Sequence, residues 1–418
     1  MLVTTSADNV VSIKVIGVGG GGCNAVNTMI NDYDIPGVDF LALNTDAQSL
    51  KQSLAPTTLQ LGEELTKGLG VGGNHELGAQ ATEESLDQIQ ELIEGTNMVF
   101  LTAGMGGGTG TGGLPIIAGV AKNMGALTVA VVTKPFDFEG SRRKEVADEG
   151  LAALRDKVDT LIVIPNQRLL EIVDESVSFI DAMKMVDSVL AEGVSSISSL
   201  ISQTGYINAD FNDAKSVMQN AGTALMGIGR ASGEGRAEKA ARLATTSPLL
   251  DMSIEGATGV LYNVVGSNLS LAEISMVSEL IKEALDPLAN IKFGAQINED
   301  MEDEIVITIV ATGIKKSDQL YSSGEDEIEI NREDMSSAQT FKAFTTPGMQ
   351  KQLDEDEDEE EEETKKSGGL QFNISGNEKK KEDEEEEKSE EGEEETKVPF
   401  ELDSKDPLDV PAFMRKKK

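Results

Sequence analysis

The chain has 418 residues and a formal charge of −38, with 74 acidic side chains against 36 basic ones. That balance argues against a nucleic-acid partner, which needs basic patches, while the length allows two or three domains around a sizeable core. Cys23 and His75 are single occurrences, which removes an intramolecular disulfide and a structural zinc cluster and suits a reducing cytoplasm.

Residues 1–10 are polar and lack a basic segment followed by a long apolar one, so we expect a disordered N-terminus and no secretory leader. From 11 to 177 strand and helix patterns alternate. Strands are predicted at Ile13–Val18, Asp39–Leu43, Asn97–Thr102, Leu127–Thr133 and Thr160–Pro165, with helices clearest over Ala79–Ile93 and Gly140–Leu154. The alternation predicts an α/β fold with a doubly wound parallel sheet and ligands at the carboxyl ends of its strands. Apolar residues at helical spacing from 178 to 202, among them Ile180, Val189 and Val194, predict one long helix packed on several sides. From 203 to 314, strands are predicted at Gly259–Val265 and Glu304–Ala311 and a helix at Leu271–Leu285.

Beyond this point the pattern dissolves. Asp354–Glu363 is unbroken acid, and Lys351–Lys418 holds 26 acidic and 13 basic residues. We read 315–405 as a disordered acidic linker, because such composition cannot bury enough apolar area to offset ordering entropy. Charge repulsion should extend it beyond the flexible-coil span of about 50 Å. Residues 406–418 bring Leu408, Val410, Phe413 and Met414 together beside a basic end. On composition alone, a frayed terminus and a docking peptide are equally open. No apolar run reaches membrane-spanning length.

Two glycine arrays carry the chemistry. Ala103-Gly-Met-Gly-Gly-Gly-Thr-Gly-Thr-Gly-Gly113 lies between an apolar strand and a helical segment, and Gly17-Val-Gly-Gly-Gly-Gly-Cys-Asn24 has the same setting. Glycines there let backbone N–H groups crowd around an anion at a helix N-terminus, and Thr109 and Thr111 add hydroxyl donors. Gly17, Gly19 and Gly22 also match the dinucleotide pattern G-x-G-x-x-G. A nicotinamide enzyme needs one pyrophosphate loop, whereas two suit a longer phosphate chain held from both sides. No Lys follows either array, so the phosphate loop G-x-x-x-x-G-K-[ST] is absent.

The array Gly106–Gly112 resembles the signature of the tubulin superfamily, and its surroundings resemble the cell-division GTPases of the FtsZ family. Supporting segments are Asn44-Thr-Asp-Ala-Gln48, Thr66-Lys-Gly-Leu-Gly70, Thr133-Lys-Pro-Phe-Asp-Phe-Glu-Gly140, Ile164-Pro-Asn166, Asn208-Ala-Asp-Phe-Asn-Asp213 and Asp409-Val-Pro-Ala-Phe-Met-Arg415. The resemblance covers about residues 10–314 and the last ten or so. It implies a GTPase domain over 11–177, a central helix over 178–202 and an α+β domain over 203–314 that carries a catalytic loop.

By this resemblance GTP or GDP is held by Gly20, Gly21, Gly22, Cys23 and Asn24, by Asn44 and Gly72, and by Gly106, Gly107, Gly108, Thr109, Gly110 and Thr111. Glu139 and Arg143 map onto the ribose contacts, though on their own they read as an ordinary solvated helix start. Asn24, Asn166 and Asp187 map onto the base contacts, and Met183 onto the stacking position. A carboxylate accepting from N1–H and N2–H₂ suits guanine and repels the acceptor N1 of adenine. Asn208, Asp210 and Asp213 map onto the loop that enters the next subunit's site, where the acids orient water and help hold the cation. In isolation Asp210 and Asp213 read as a helix cap. Mg²⁺ is expected on phosphate oxygens and water, with Asp46 either holding a metal-bound water or capping the segment after Asn44.

Three departures stand out. Met183 replaces an aromatic, Val71 is bulkier than the usual residue near the γ-phosphate, and Cys23 places a thiol at a helix N-terminus, a setting that can lower a thiol's pKa and make it reactive. Asp409, Val410, Pro411, Phe413, Met414 and Arg415 map onto a peptide that binds membrane-tethering and regulatory division proteins. The implied whole is a GTPase that polymerises head to tail into a bacterial division ring, in the cytoplasm at mid-cell beneath the membrane. A nicotinamide-dependent dehydrogenase and a non-enzymatic scaffold of the same fold are the alternatives. The second glycine loop, and the absence of an obvious hydride-site His, count against the first. Asp210 and Asp213 count against the second.

Overall fold

The computed structural model describes residues 11–33, 35, 37–170, 177–202, 207, 209–247 and 253–314. The expected N-terminal tail, acidic linker and C-terminal peptide lie outside these residues, as does Asn208.

Ten strands form one sheet in the order β3-β2-β1-β4-β5-β6-β7-β10-β8-β9. They are β1 (Ile13–Val18), β2 (Val38–Asn44), β3 (Thr57–Gln60), β4 (Met98–Gly104), β5 (Leu127–Lys134), β6 (Thr160–Pro165), β7 (Gly222–Ser232), β8 (Gly259–Gly266), β9 (Asn290–Ile297) and β10 (Glu304–Thr312). The first six are all parallel to their neighbours. Alternate residues feed two separate cores, as a sheet covered on both faces requires. Met98 and Phe100 of β4 and Val129 and Val131 of β5 face one core, while Val99, Leu101, Ala130 and Val132 face the other.

The helices of this half are α1 (Gly19–Asp32), α2 (Ala47–Lys51), α3 (Glu63–Thr66), α4 (His75–Glu84), α5 (Leu86–Ile93), α6 (Thr109–Asn123), α7 (Ser141–Arg155) and α8 (Asn166–Leu170). The predicted helix at Ala79–Ile93 is two helices. Ser85 breaks it (φ −99°, ψ 14°), and its hydroxyl accepts from Gly62 N while donating to Ala81 O. α4 lies tightly on α6, where a β-carbon on Gly112 would stand 1.9 Å from His75 O. Only glycine fits.

α9 (Phe179–Ser202) is the long helix expected over 178–202. It buries Val189, Val194, Ile197 and Leu200 in one cluster with Val131 of β5 and Leu261, Val306 and Val310 of the later strands. The remaining helices are α10 (Phe211–Met218), α11 (Arg236–Thr245) and α12 (Leu271–Glu283). The last two close a third core against β8 and β10.

The parallel sheet and the strands of the later residues form one continuous sheet. β7 joins β6 in parallel through Thr160–Gly222, Leu161–Thr223 and Ile162–Ala224, and pairs antiparallel with β10 on its other side. β7 carries Gly222, Gly227 and Gly229, which mask its strand pattern. Gly229 is there for close approach: a β-carbon would lie 2.0 Å from Ala240 O of α11.

Candidate active site

The first glycine array is the start of a helix. β1 runs directly into α1, with Val18 extended at the cap and Gly19 at φ +72°. The second array leads from β4 into α6, whose cap is Gly108. Neither helix has a side-chain cap or an acidic residue in its first turn. The first-turn N–H groups therefore have no side-chain acceptor of the usual kind, which is the donor arrangement an anion uses.

The two N-termini adjoin. A β-carbon on Gly19 would stand 3.0 Å from Gly110 N and 3.4 Å from Thr109 Cβ. Gly20 and Gly21 are exposed, and nothing lies within 4 Å of a β-carbon placed on Gly20. Gly22, by contrast, is buried under Thr102 O, 2.3 Å from such an atom, and holds α1 against β4. Gly106 takes φ +92° beneath Arg143 O. Gly107 follows with only Gly104 O nearby, at 3.9 Å.

The third loop adds Gly70, Gly72 and Gly73, all at positive φ, before Asn74 caps α4 by accepting from Leu77 N at 3.1 Å. Gly72 and Gly73 face open space. Val71 does not: it is 8% exposed, and its Cγ2 occupies the room a β-carbon on Gly108 would need. Its bulk locks two loops together instead of projecting among them.

Hydroxyls and amides tie the loops down. Thr45 Oγ1 and Thr109 Oγ1 share a 2.7 Å hydrogen bond. Thr111 turns inward, with its Oγ1 accepting from Gly106 N at 2.9 Å and only 2% of the residue exposed. The expected hydroxyl donor to a ligand thus shapes the loop, because burial gives its oxygen a backbone partner. Asn44 is buried, and its Oδ1 accepts from Asp46 N at 3.3 Å. Asp46 caps α2, with Oδ1 accepting from Gln48 N and Ser49 N. Among the described residues no group of three or more His, Cys, Asp or Glu could hold a metal.

Cys23 overturns the expectation of a reactive thiol. Its side chain is 1% exposed, with Sγ 3.8 Å from both Gly17 O and Leu43 O. Burial pushes the thiol up to about 12, because desolvation of the thiolate outweighs the helix field.

Glu139 and Arg143, four residues apart across the start of α7, pair at 2.8 Å, and Glu139 Oε1 accepts from Phe136 N at 3.0 Å. Asn166 begins α8 directly after β6 and is 7% exposed, and its Oδ1 is buried without a hydrogen-bond partner. Asp187 lies partly buried on α9, and desolvation pushes its carboxyl up to about 7. Met183, one turn earlier, packs against the α9 core. Asn24 is exposed on α1. α9 packs against both α1 and α8.

The acids stand elsewhere. Asp210 caps α10 by accepting from Asp213 N at 2.7 Å, and Asp213 Oδ2 accepts in return from Asp210 N at 3.3 Å. The capping pattern is therefore present in both directions. Lys292 of β9 reaches Asp213 Oδ1 at 2.7 Å, and that bond holds the carboxyl below its ordinary value. The far end of α10 is anchored where Met218 O accepts from Thr160 Oγ1, at the first residue of β6. The glycine loops and Asn166 stand at the strands' last residues.

Thr45 and Lys292 are missing from the residues singled out in the sequence. Thr45 sits between the noted Asn44 and Asp46, and its adjacency was the available signal. Lys292 lies on a strand that the pattern did not reveal.

Residues 12–174 match the family "Tubulin/FtsZ family, GTPase domain", and 222–315 match "FtsZ family, C-terminal domain". Similar solved structures include an empty FtsZ dimer from M. jannaschii, 44% identical over 73% of this chain and 89% of that one, with a TM-score of 0.70. A point mutant of the same FtsZ gives 44% identity over 73% and 92% of the two chains and a TM-score of 0.71. GDP-bound CetZ1 from Haloferax volcanii shares the fold at 21% identity, covering 73% and 95%, with a TM-score of 0.63. The chain belongs to the tubulin/FtsZ family and carries its GTPase domain.

Proposed function

We propose that this chain binds GTP in the cleft at the carboxyl ends of β1, β2, β4 and β6, and hydrolyses it only when a second copy supplies Asp210 and Asp213. One observation carries the reading. Asp213 is five residues from Met218, about 7.5 Å of helix, and Met218 is fastened to the first residue of β6. The strand from Thr160 to Pro165 spans about 16 Å. Even a helix aimed straight along it would leave the carboxylate short of its own chain's glycine loops. A head-to-tail, heterologous contact brings acids to phosphates and, repeated, builds a filament.

The residues fit the nucleotide. Phosphates would rest on the N–H groups of Gly20–Gly22 and Gly108–Gly110, with Gly72 closing the γ end. Glu139 and Arg143 would meet the ribose. Guanine would supply what Asn166 Oδ1 and the Asp187 carboxylate lack, its N–H donors. Phosphoryl transfer asks mainly for positioning and charge neutralisation. Asp210 and Asp213 would orient the attacking water and accept its proton. Mg²⁺, carried by phosphate oxygens and water with Asp46 nearby, would neutralise charge on the β- and γ-oxygens.

The filaments would build a division ring at mid-cell beneath the membrane, with 409–415 docking onto tethering and regulatory proteins. Among the described residues no helix is long and apolar enough to cross a membrane. The test is phosphate release from GTP against protein concentration, with light scattering in parallel. Turnover per subunit should rise with scattering from a threshold concentration. Constant turnover from dilute monomer upward would refute the shared site.

A further inference from the structure

β9 is the edge strand of the sheet, and it holds the acid-bearing segment at three points. Ile207 bridges Ala295 through paired backbone hydrogen bonds. Asn290 Nδ2 donates to Ser216 Oγ at 3.3 Å, and that hydroxyl donates to Asp213 O at 2.7 Å. Lys292, two residues on and so on the same face of the strand, places its ammonium 2.7 Å from Asp213 Oδ1. Asp213 Oδ2 faces Asp210 N. Both oxygens of this carboxylate are thus directed, one by its own helix cap and one by the sheet edge.

We propose that Lys292 is a positioning residue for hydrolysis: it fixes the rotamer of Asp213, so that the carboxylate arrives at the neighbouring subunit's γ-phosphate already oriented. The inference rests on the shared-site reading above. A two-carbon side chain hydrogen-bonded only through its cap can still rotate when water competes. The lysine adds a second, charge-assisted bond from a rigid strand, the kind of support that holds a reacting group within the fraction of an ångström catalysis needs. The pair is about one-third exposed on each side, 32% for Lys292 and 34% for Asp213. Its oxygens therefore remain open to a docking partner while their direction is set.

The test uses the full chain. Lys292→Met keeps the apolar stem and removes the ammonium. It should lower kcat by about tenfold or more, with GTP affinity, thermal midpoint and filament yield by pelleting unchanged. Lys292→Arg should restore most of the loss. Lys292→Met added to Asp213→Asn should slow hydrolysis no further, since the lysine acts through that carboxylate. Full turnover in Lys292→Met would overturn the inference. So would an additional full loss in the double variant, or a loss that follows filament yield alone. Asp213→Asn hydrolysing at the unmodified rate would instead remove the shared-site reading itself.

Discussion

Thr45 and Thr109 donate and accept across 2.7 Å between the end of β2 and the first turn of α6. This bond joins the segment that carries Asn44 and Asp46 to the second glycine loop. Both hydroxyls are buried, with Thr45 at 0% and Thr109 at 8% exposure. Thr45→Val leaves Thr109 without its partner and should cost about 1–3 kcal/mol, read as a lower denaturant midpoint. The double variant Thr45→Val, Thr109→Val should cost less than the two single changes summed. Additive losses would show that the pair is uncoupled.

Asp187 should make nucleotide binding depend on pH, if it meets the base as proposed above. Its folded carboxyl titrates near 7, raised by burial, whereas the unfolded group ionises near its ordinary value. Between those values the unfolded chain has already released the proton that the folded chain keeps. Stability of the nucleotide-free protein therefore falls as pH rises across that window and levels off above 7. Guanine donors favour the carboxylate, so GTP affinity should rise between pH 6 and 8 and binding should release a proton. Asp187→Asn should remove the slope and weaken binding by roughly 1.5–3 kcal/mol. Calorimetry in buffers of different ionisation enthalpy checks both. Equal affinity for ATP and GTP in the unmodified protein would remove Asp187 from base recognition.

The Cys23 thiol should be inert in the folded chain. With the side chain 1% exposed and the pKa near 12, iodoacetamide at pH 8 should leave it unlabelled until denaturant is added. Rapid labelling of the native protein would mean that the start of α1 opens.

The sequence made much of this fold legible, and the misses have physical causes. β1 and β6 were bounded to the residue because apolar runs end there at glycine or proline. β7 is hidden because Gly222, Gly227 and Gly229 interrupt its pattern, and of these Gly229 serves the close approach of α11. β9 has three half-buried positions, Ile291, Lys292 and Phe293, where a core strand would bury alternate ones, so neither the strand nor Lys292 shows in the pattern. Asn166 and Asp187 could be paired only through family resemblance, since nothing local marks two polar residues on α8 and α9 as partners for one ligand. Cys23 departs from the reactivity a helix N-terminus suggests because packing turns its sulfur into the core.

Anchorage should separate from assembly. Residues 406–418 lie outside the described structure, and their proposed role rests on family resemblance. Removing them should leave GTPase activity and filaments nearly intact while abolishing recruitment to membrane-bound partners. Pro407 and Pro411 restrict the free peptide and lower the entropy cost of docking. Phe413→Ala should therefore weaken partner binding more than any single lysine change, as binding to tethering proteins on vesicles would show. Membrane-localised rings from the truncated chain alone would contradict this.

The central claim, that one subunit's GTP meets the next subunit's acids, is tested most directly by mixing two inactive variants. Asp213→Ala keeps the glycine loops and lacks the acid. Gly20→Asp sets a carboxylate in the open space before the phosphates, where a β-carbon meets nothing within 4 Å, and keeps the acid loop. Neither should hydrolyse GTP alone. Co-assembled in equal amounts, about a quarter of their head-to-tail contacts pair an intact nucleotide site with an intact acid loop. Phosphate release should return to that fraction of the unmodified rate. Mixed filaments that form but stay silent would show that each subunit depends on its own acids, and would contradict the account.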